Sequence, residues 1–269
     1  MNFAKELMVQ PGKRVKLGHY DAGDTCGYEK DAECKKLVDK ALTRVDELQD
    51  TFYAENKRAL LILLQGMDAA GKDGTIRHVM SGVNPQGCSV TAFKVPSHQE
   101  AQHDFLWRAH LAVPGRGQIG IFNRSYYEDV LVVRVHKLVP EEIWKTRFEQ
   151  INNFEAMLAE NNVTILKFFL HISKDEQKRR FAERLNDPAH QWKLSPADLA
   201  ERKFWDDYVE AYEAALTKCN SDVAPWYIIP ANHKWFRNLA VSRIIARTLE
   251  GLHSKYPKPS FDFSHYKLK

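Results

Sequence analysis

An α/β fold, with a mostly parallel five-stranded sheet and helices on both faces, is predicted by three observations. Short apolar runs alternate with helical patterns along the 269 residues. Most of these runs are continuous, as in strands covered on both sides. The first of them runs straight into a glycine-rich turn and a new helix pattern, LLILLQGMDAAGKDGT at residues 60–75. Strand, loop and helix in that order place backbone N–H groups and the positive end of a helix around an anion.

Residues 1–30 read as an irregular arm, punctuated by Pro11, Gly12, Gly18, Gly23 and Gly27 and made basic by Lys13, Arg14 and Lys16. A helix is predicted over Asp31–Ala54, with Leu37, Val38, Ala41, Leu42, Val45 and Leu48 at helical spacing. The five strands are expected at Ala59–Gln65, Ser89–Lys94, Gln118–Phe122, Thr164–Ile172 and Trp226–Pro230. Ser97 with Glu100, and Ser173 with Glu176, are capping-box signatures that start helices, the first running to His110. The second helix should bury Phe181, Ala182 and Leu185 and carry Arg180 and Arg184 together on a flank. Two prolines and several polar residues break the pattern over Asn186–Pro196, as a mobile lid tip would. The expected organisation is one domain over residues 1–269, with the arm at 1–30 and a lid module at about 173–205.

Hydrophobic residues make up 44% and charged residues 28%, a globular composition, and the net charge is only +4. So weak an overall charge argues against nucleic acid and membrane as partners. No apolar run approaches a membrane span, and MNFAKELMVQPGK lacks the apolar stretch of a secretion signal, so a cytoplasmic location is expected. Cys26, Cys34, Cys88 and Cys219 lack CxxC spacing and read as free thiols. The histidines show no metal-ligand spacing, and His171 is expected to be a satisfied core or rim residue.

The chemistry concentrates in the loop. Gly66, Ala69, Ala70, Gly71 and Gly74 would cradle phosphate, and Lys72 would supply a point charge to the group being moved. Where a Ser or Thr usually follows the lysine stands Asp73, and Asp68 adds a second carboxylate. Two anions in a phosphate cradle repel the ligand unless cations accompany it, which points to magnesium held by Asp68 and Asp73, with manganese a possible substitute. The third strand ends in GIFNRSYYEDV, residues 120–130, with Asn123 where an acid commonly holds the metal. Charge could come instead from Asp68, Asp73, Glu128 or Asp129. Arg124 could clamp phosphate oxygens, or simply pair with Glu128 in a turn. Arg108 is the candidate contact for an acceptor phosphate, and Trp107 is read as core. Arg180 and Arg184 could track successive phosphates, or be a solvated face balanced by Asp175, Glu176 and Glu183.

GMDAAGKDG at residues 66–74, FNRSYYEDV at 122–130, the basic segment after FFLHIS, PSHQEAQHDFLWRAH and APWYIIPANHKW together resemble the second family of polyphosphate kinases, the polyphosphate:nucleotide phosphotransferases. The resemblance spans nearly the whole chain. It implies a P-loop kinase fold like that of thymidylate kinase, with a helical lid and assembly as a homodimer or homotetramer. It also implies inorganic polyphosphate as donor, with Asp68, Lys72, Asp73 and Arg124 acting on the transferred phosphoryl and its magnesium, and Arg180 and Arg184 as the lid arginines. Many members carry Asp and Asn where this chain has Asn123 and Glu128. That departure resembles the class III subgroup, which accepts both AMP and ADP; guanine nucleotides are possible further acceptors. Two rivals follow from the same loop: an ATP-dependent kinase of nucleoside monophosphates or another small metabolite, and a polyphosphate- or nucleotide-binding protein without turnover.

Overall fold

The computed structural model describes residues 2–262. Five strands, β1 (Ala59–Gln65), β2 (Cys88–Ala92), β3 (Ile119–Asn123), β4 (Val163–His171) and β5 (Trp226–Pro230), form one sheet in the order β2-β3-β1-β4-β5. Every pairing is parallel. The expected boundaries fall within two residues of these. β1 is central and all seven of its residues are buried, which an uninterrupted apolar run allows and an alternating one would not. β2 departs from the expectation of strands covered on both faces. It is one of the two sheet edges, and Ser89, Val90 and Ala92 are exposed, whereas β5 at the other edge is buried throughout.

Strand β1 lies between β3 and β4, so the chain reverses its direction of travel across the sheet at β1. Ligands of open parallel sheets settle beyond the strand ends at such a reversal. The loop that follows β1, the turn after β3 and the end of β4 all meet there.

The helix Ala32–Glu55 begins at the Asp31 cap, whose side chain accepts from the Cys34 N–H, and it packs against the helix Lys234–Gly251. Its buried stripe is Cys34, Val38, Ala41, Val45, Gln49 and Phe52, with Leu37, Leu42 and Leu48 at the margin. The helix expected over Ser97–His110 is not continuous. Its Ser97–Glu100 box forms but starts only a 3-10 turn at Glu100–Gln102; the Asp104 carboxylate then takes the Leu106 N–H, and a short helix runs from Trp107 to Ala112. Trp107 does not join the core; it is half-buried and stacks on His103 at 4.1 Å. The Nε2 of His171 lies 3.0 Å from the Tyr20 carbonyl oxygen, which can only accept, so Nε2 carries the proton and the arm is tied to the end of β4.

After the Ser173 cap comes the helix Lys174–Asn186, then a turn at Gln191–Lys193, a short helix Pro196–Glu201 and the helix Trp205–Lys218. The expected face of Phe181, Ala182 and Leu185 is not the one that faces the loop. Gln177, Arg180 and Phe181 are the side chains this helix buries, and Leu185 is exposed. The polar side chains turn inward because backbone carbonyls wait for them beneath the helix.

An ion pair with both side chains fully buried was not visible in the sequence. Lys167 of β4 meets Glu155 at 2.6 Å, and the other Glu155 oxygen accepts from the hydroxyls of Tyr126 and Tyr127 at 2.9 Å each. This network fastens the turn after β3 to β4 and to the helix Glu141–Glu160. A buried pair of this kind survives only because its remaining lone pairs and protons are satisfied.

Candidate active site

The loop after β1 is shaped by positive φ angles at Gly66 (152°), Ala69 (62°) and Gly71 (102°). A Cβ on Gly66 would lie 2.7 Å from the Leu170 carbonyl, so the backbone itself requires glycine there, and at Gly71 the φ of 102° strains any side chain. Gly71 caps the helix Lys72–Val79, whose first N–H groups face the cleft.

Lys72 folds back over the loop and donates to the carbonyls of Gly66 at 2.7 Å and Met67 at 3.4 Å. Burial, and then the charge of Arg124, pull its ammonium down to about 8. Arg124, itself at a φ of 60°, is held by its N–H on the Leu64 carbonyl. Its guanidinium pairs with Asp68 at 2.8 Å, not with Glu128. Asn123 donates to Asp73 at 2.6 Å. The four residues expected to do the chemistry, and the amide at the end of β3, are thus brought together. Glu128 stands behind them, half-buried, and burial pushes its carboxyl up despite Arg124 and Lys72 nearby.

Two cavities open on this cluster. The larger, about 1220 Å³, lies between the loop and the lid segment and is lined by Lys72, Asp73 and Asn123 on one side and Arg179, Arg184 and Lys193 on the other. The smaller, about 330 Å³, is lined by Glu128, His136, Trp205, Tyr208 and Tyr212. Asp68 and Arg124 line both.

Arg180 and Arg184 lie four apart on one helix and both line the larger cavity, but their guanidiniums are engaged differently. Arg180 is buried beneath the loop, donating to the carbonyls of Ala69 and Ala70 at 2.8 and 3.0 Å and of Ala231 and Asn232 at 2.5 and 3.1 Å, while Glu176 takes its Nε at 2.7 Å. With every nitrogen engaged, its role here is to brace the loop. Arg184 makes one long bond, 3.4 Å to the Lys193 carbonyl, so it keeps donors for a ligand. Arg179 pairs with Glu176 and Glu183.

Arg108 lines neither cavity. It donates to the Lys94 carbonyl at 2.8 Å, lies 3.8 Å from Asp129 and sits over the Phe93 ring, which leaves the expected acceptor contact without a geometric basis. Two contributors are not legible in the sequence. Gln177 donates to the Asp68 carbonyl at 2.9 Å, coupling lid to loop, and Arg237 lies against Gly71. Neither belongs to a motif: each is one polar residue on the inward face of a helix.

A magnesium ion suits this donor set. Asp68 and Asp73 offer two hard carboxylates at the mouth of the larger cavity, and magnesium characteristically takes one or two carboxylates and completes its shell with phosphate oxygens and water. No group of three or more His, Cys, Asp or Glu side chains forms a cage among the described residues, so the remaining ligands would have to come from phosphate and water.

The family described as polyphosphate kinase 2 matches residues 27–257. The AMP/ADP-polyphosphate phosphotransferase of Meiothermus ruber is 51% identical, over 95% of this chain and 96% of that protein. The ADP-polyphosphate phosphotransferase of Rhodopseudomonas palustris is 47% identical, over 94% of this chain and 92% of its own. A crystal structure of polyphosphate kinase 2 from Arthrobacter aurescens TC1 superimposes with a TM-score of 0.93 at 43% identity, covering 97% of this chain and 94% of that one.

Proposed function

The chain belongs to the polyphosphate kinase 2 family, and on that premise we propose that it transfers the terminal phosphoryl of inorganic polyphosphate directly to AMP and ADP, giving ADP and ATP. The observation that carries this reading is the meeting of two cavities at Asp68 and Arg124. In-line transfer requires donor and acceptor to reach the moving phosphoryl from opposite sides. The larger cavity, with Arg184, Lys193 and Lys234, suits a linear polyanion; the smaller, with Trp205, Tyr208 and Tyr212, suits a nucleoside.

In this mechanism the loop N–H groups and Lys72 hold the transferred phosphoryl, and Lys72 leaves the Gly66 carbonyl to do so. Arg124 neutralises its equatorial oxygens from the junction of the cavities. Asp68 and Asp73 would hold magnesium, which supplies further charge neutralisation to the phosphates when bound. The lid residues exclude water, which would otherwise compete as acceptor. A phosphoanhydride is broken and a phosphoanhydride made, so the reaction is reversible and needs no covalent enzyme intermediate.

The reading includes a cytoplasmic location, a homodimeric or homotetrameric assembly and guanine nucleotides as lesser acceptors. No helix among the described residues is long and apolar enough to cross a membrane. A coupled assay with polyphosphate or ATP as donor and AMP or ADP as acceptor tests the proposal. Turnover with polyphosphate on both acceptors is expected. Activity with ATP alone would replace it with a nucleotide-dependent kinase, and binding without product would make the chain a sensor.

A further inference from the structure

Charge is unevenly balanced behind the phosphate loop. Arg180 and Arg237 are both buried, 4% and 3% exposed, and both donate to the Ala70 carbonyl, at 3.0 and 3.4 Å. Arg180 is matched by Glu176 at 2.7 Å. Among the described residues, Arg237 has no carboxylate within ion-pair distance; its other bonds go to the neutral amide oxygen of Asn238, at 2.8 and 3.1 Å. Burial, and then the neighbouring Arg180, pull its guanidinium down to about 10. A buried cation without a counter-ion is costly, and the cost is recovered only when an anion comes to it.

The position of this cation tells which anion. Arg237 lines the larger cavity together with Gly71, Lys72 and Gly74. A Cβ on Gly71 would fall 2.0 Å from its Nη1, and one on Gly74 3.6 Å from its Nη2, so the guanidinium lies against the start of the loop helix. Since the N–H and C=O of a trans peptide point in opposite directions, a donor that fixes the Ala70 carbonyl also fixes the direction of the Gly71 N–H. Arg237 comes from the helix after β5, outside the loop, the β3 turn and the lid segment.

We propose that Arg237 is a positioning residue for the phosphoryl groups entering the loop: its unmatched buried charge is balanced by them, and its bond to Ala70 sets the peptide that receives them. The inference rests on the phosphoryl-transfer reading above. It explains why the guanidinium lies so close against Gly71, in the space a Cβ would occupy. It also explains why an arginine stands where its own fold offers it no acid.

Wild type, Arg237→Met and Arg237→Lys separate this role from simple packing. For each protein we would measure the melting temperature alone, its rise with tripolyphosphate and magnesium, and KM for polyphosphate beside kcat. Replacing an unmatched buried charge by an apolar chain should leave the ligand-free Arg237→Met protein melting at or above wild type. Its response to tripolyphosphate should shrink and its donor KM rise roughly tenfold, the scale of a charge-assisted contact, by more than kcat falls. Arg237→Lys should recover part of the response by restoring the charge. A wild-type tripolyphosphate response in Arg237→Met would overturn the inference, as would an Arg237→Met protein that melts well below wild type yet keeps the wild-type donor KM. A wild-type protein unresponsive to tripolyphosphate would remove the phosphoryl-transfer reading and this inference with it; equal responses of wild type and Arg237→Met remove the inference alone.

Discussion

Asn123 donates its side-chain amide to a carboxylate oxygen of Asp73 at 2.6 Å, joining the end of β3 to the first turn of the loop helix. A neutral donor at this place stabilises the Asp73 charge, whereas a carboxylate would oppose it. Asn123→Asp should therefore break this hydrogen bond and put two acids side by side. We expect a higher magnesium requirement and a change in the AMP to ADP rate ratio, exerted through the metal and the transferred phosphoryl because Asn123 lines the larger cavity and not the nucleoside one. Initial rates on both acceptors across a magnesium titration decide it; an unchanged ratio would show that Asn123 has no part in acceptor choice.

Asp68 spends one oxygen on Arg124 at 2.8 Å, and Asp73 one on Asn123, leaving each a second oxygen for a hard cation. Asp68→Asn and Asp73→Asn are each expected to raise the magnesium concentration needed for half-maximal rate several-fold as well as to slow the reaction. Wild-type metal dependence in both variants would sink the assignment.

Lys72 holds the Gly66 carbonyl and, at longer range, that of Met67, so its removal costs the fold two partly buried hydrogen bonds and costs the reaction a preorganised charge. Lys72→Ala should lower kcat by ~100-fold or more with little change in melting temperature. Turnover within a few-fold of wild type would show that Arg124 and the metal suffice.

Glu128 is a half-buried acid whose folded-state carboxyl is pushed above its ordinary value of 4.5, first by burial, against the opposing pull of Arg124 and Lys72. An acid raised in the fold binds its proton more tightly folded than unfolded. Stability should accordingly fall as pH rises from about 4.5 through the folded-state value, and the penalty persists at neutral pH. Glu128→Gln is expected to abolish that part of the pH dependence and to melt no lower than wild type at pH 7. Thermal melts at successive pH values check it; a steeper loss for the variant than for wild type over the same range would reverse the sign.

What could be read in the sequence follows from how local the physics is. The strand β5 falls on the expected residues because Trp226–Pro230 is a bounded apolar run. The loop is legible because GMDAAGKDG specifies its own backbone, and Asp31 and Ser173 cap their helices as their side chains dictate. Arg180, Arg237 and the Lys167–Glu155 pair are different in kind. Each owes its place to backbone carbonyls or partners distant in the chain, and nothing in its own neighbours distinguishes it from a solvated charge. Arg108 shows the converse error, a basic residue in a suggestive helix whose charge is spent on Lys94 and Asp129.

Arg180 and Arg184, four apart on one helix, are expected to fail in opposite ways. Arg180→Ala takes the donor from the carbonyls of Ala69 and Ala231, while Ala70 keeps Arg237 and Glu176 keeps Arg179, so a loss of about 3 kcal/mol of stability is expected. Its kinetic defect would follow from a loosened loop and would not discriminate donor from acceptor. Arg184 bonds only the Lys193 carbonyl and lines the larger cavity, so Arg184→Ala should leave melting nearly unchanged while weakening polyphosphate binding. A phosphate that Arg184 no longer neutralises keeps its counter-ion on binding, which should flatten the salt dependence of donor affinity by about one in logarithmic slope. Titrating polyphosphate at several salt concentrations beside thermal melts separates the two: if Arg180→Ala keeps its stability, or Arg184→Ala keeps the wild-type slope, the division of labour between the fully engaged arginine and the one with donors to spare is wrong.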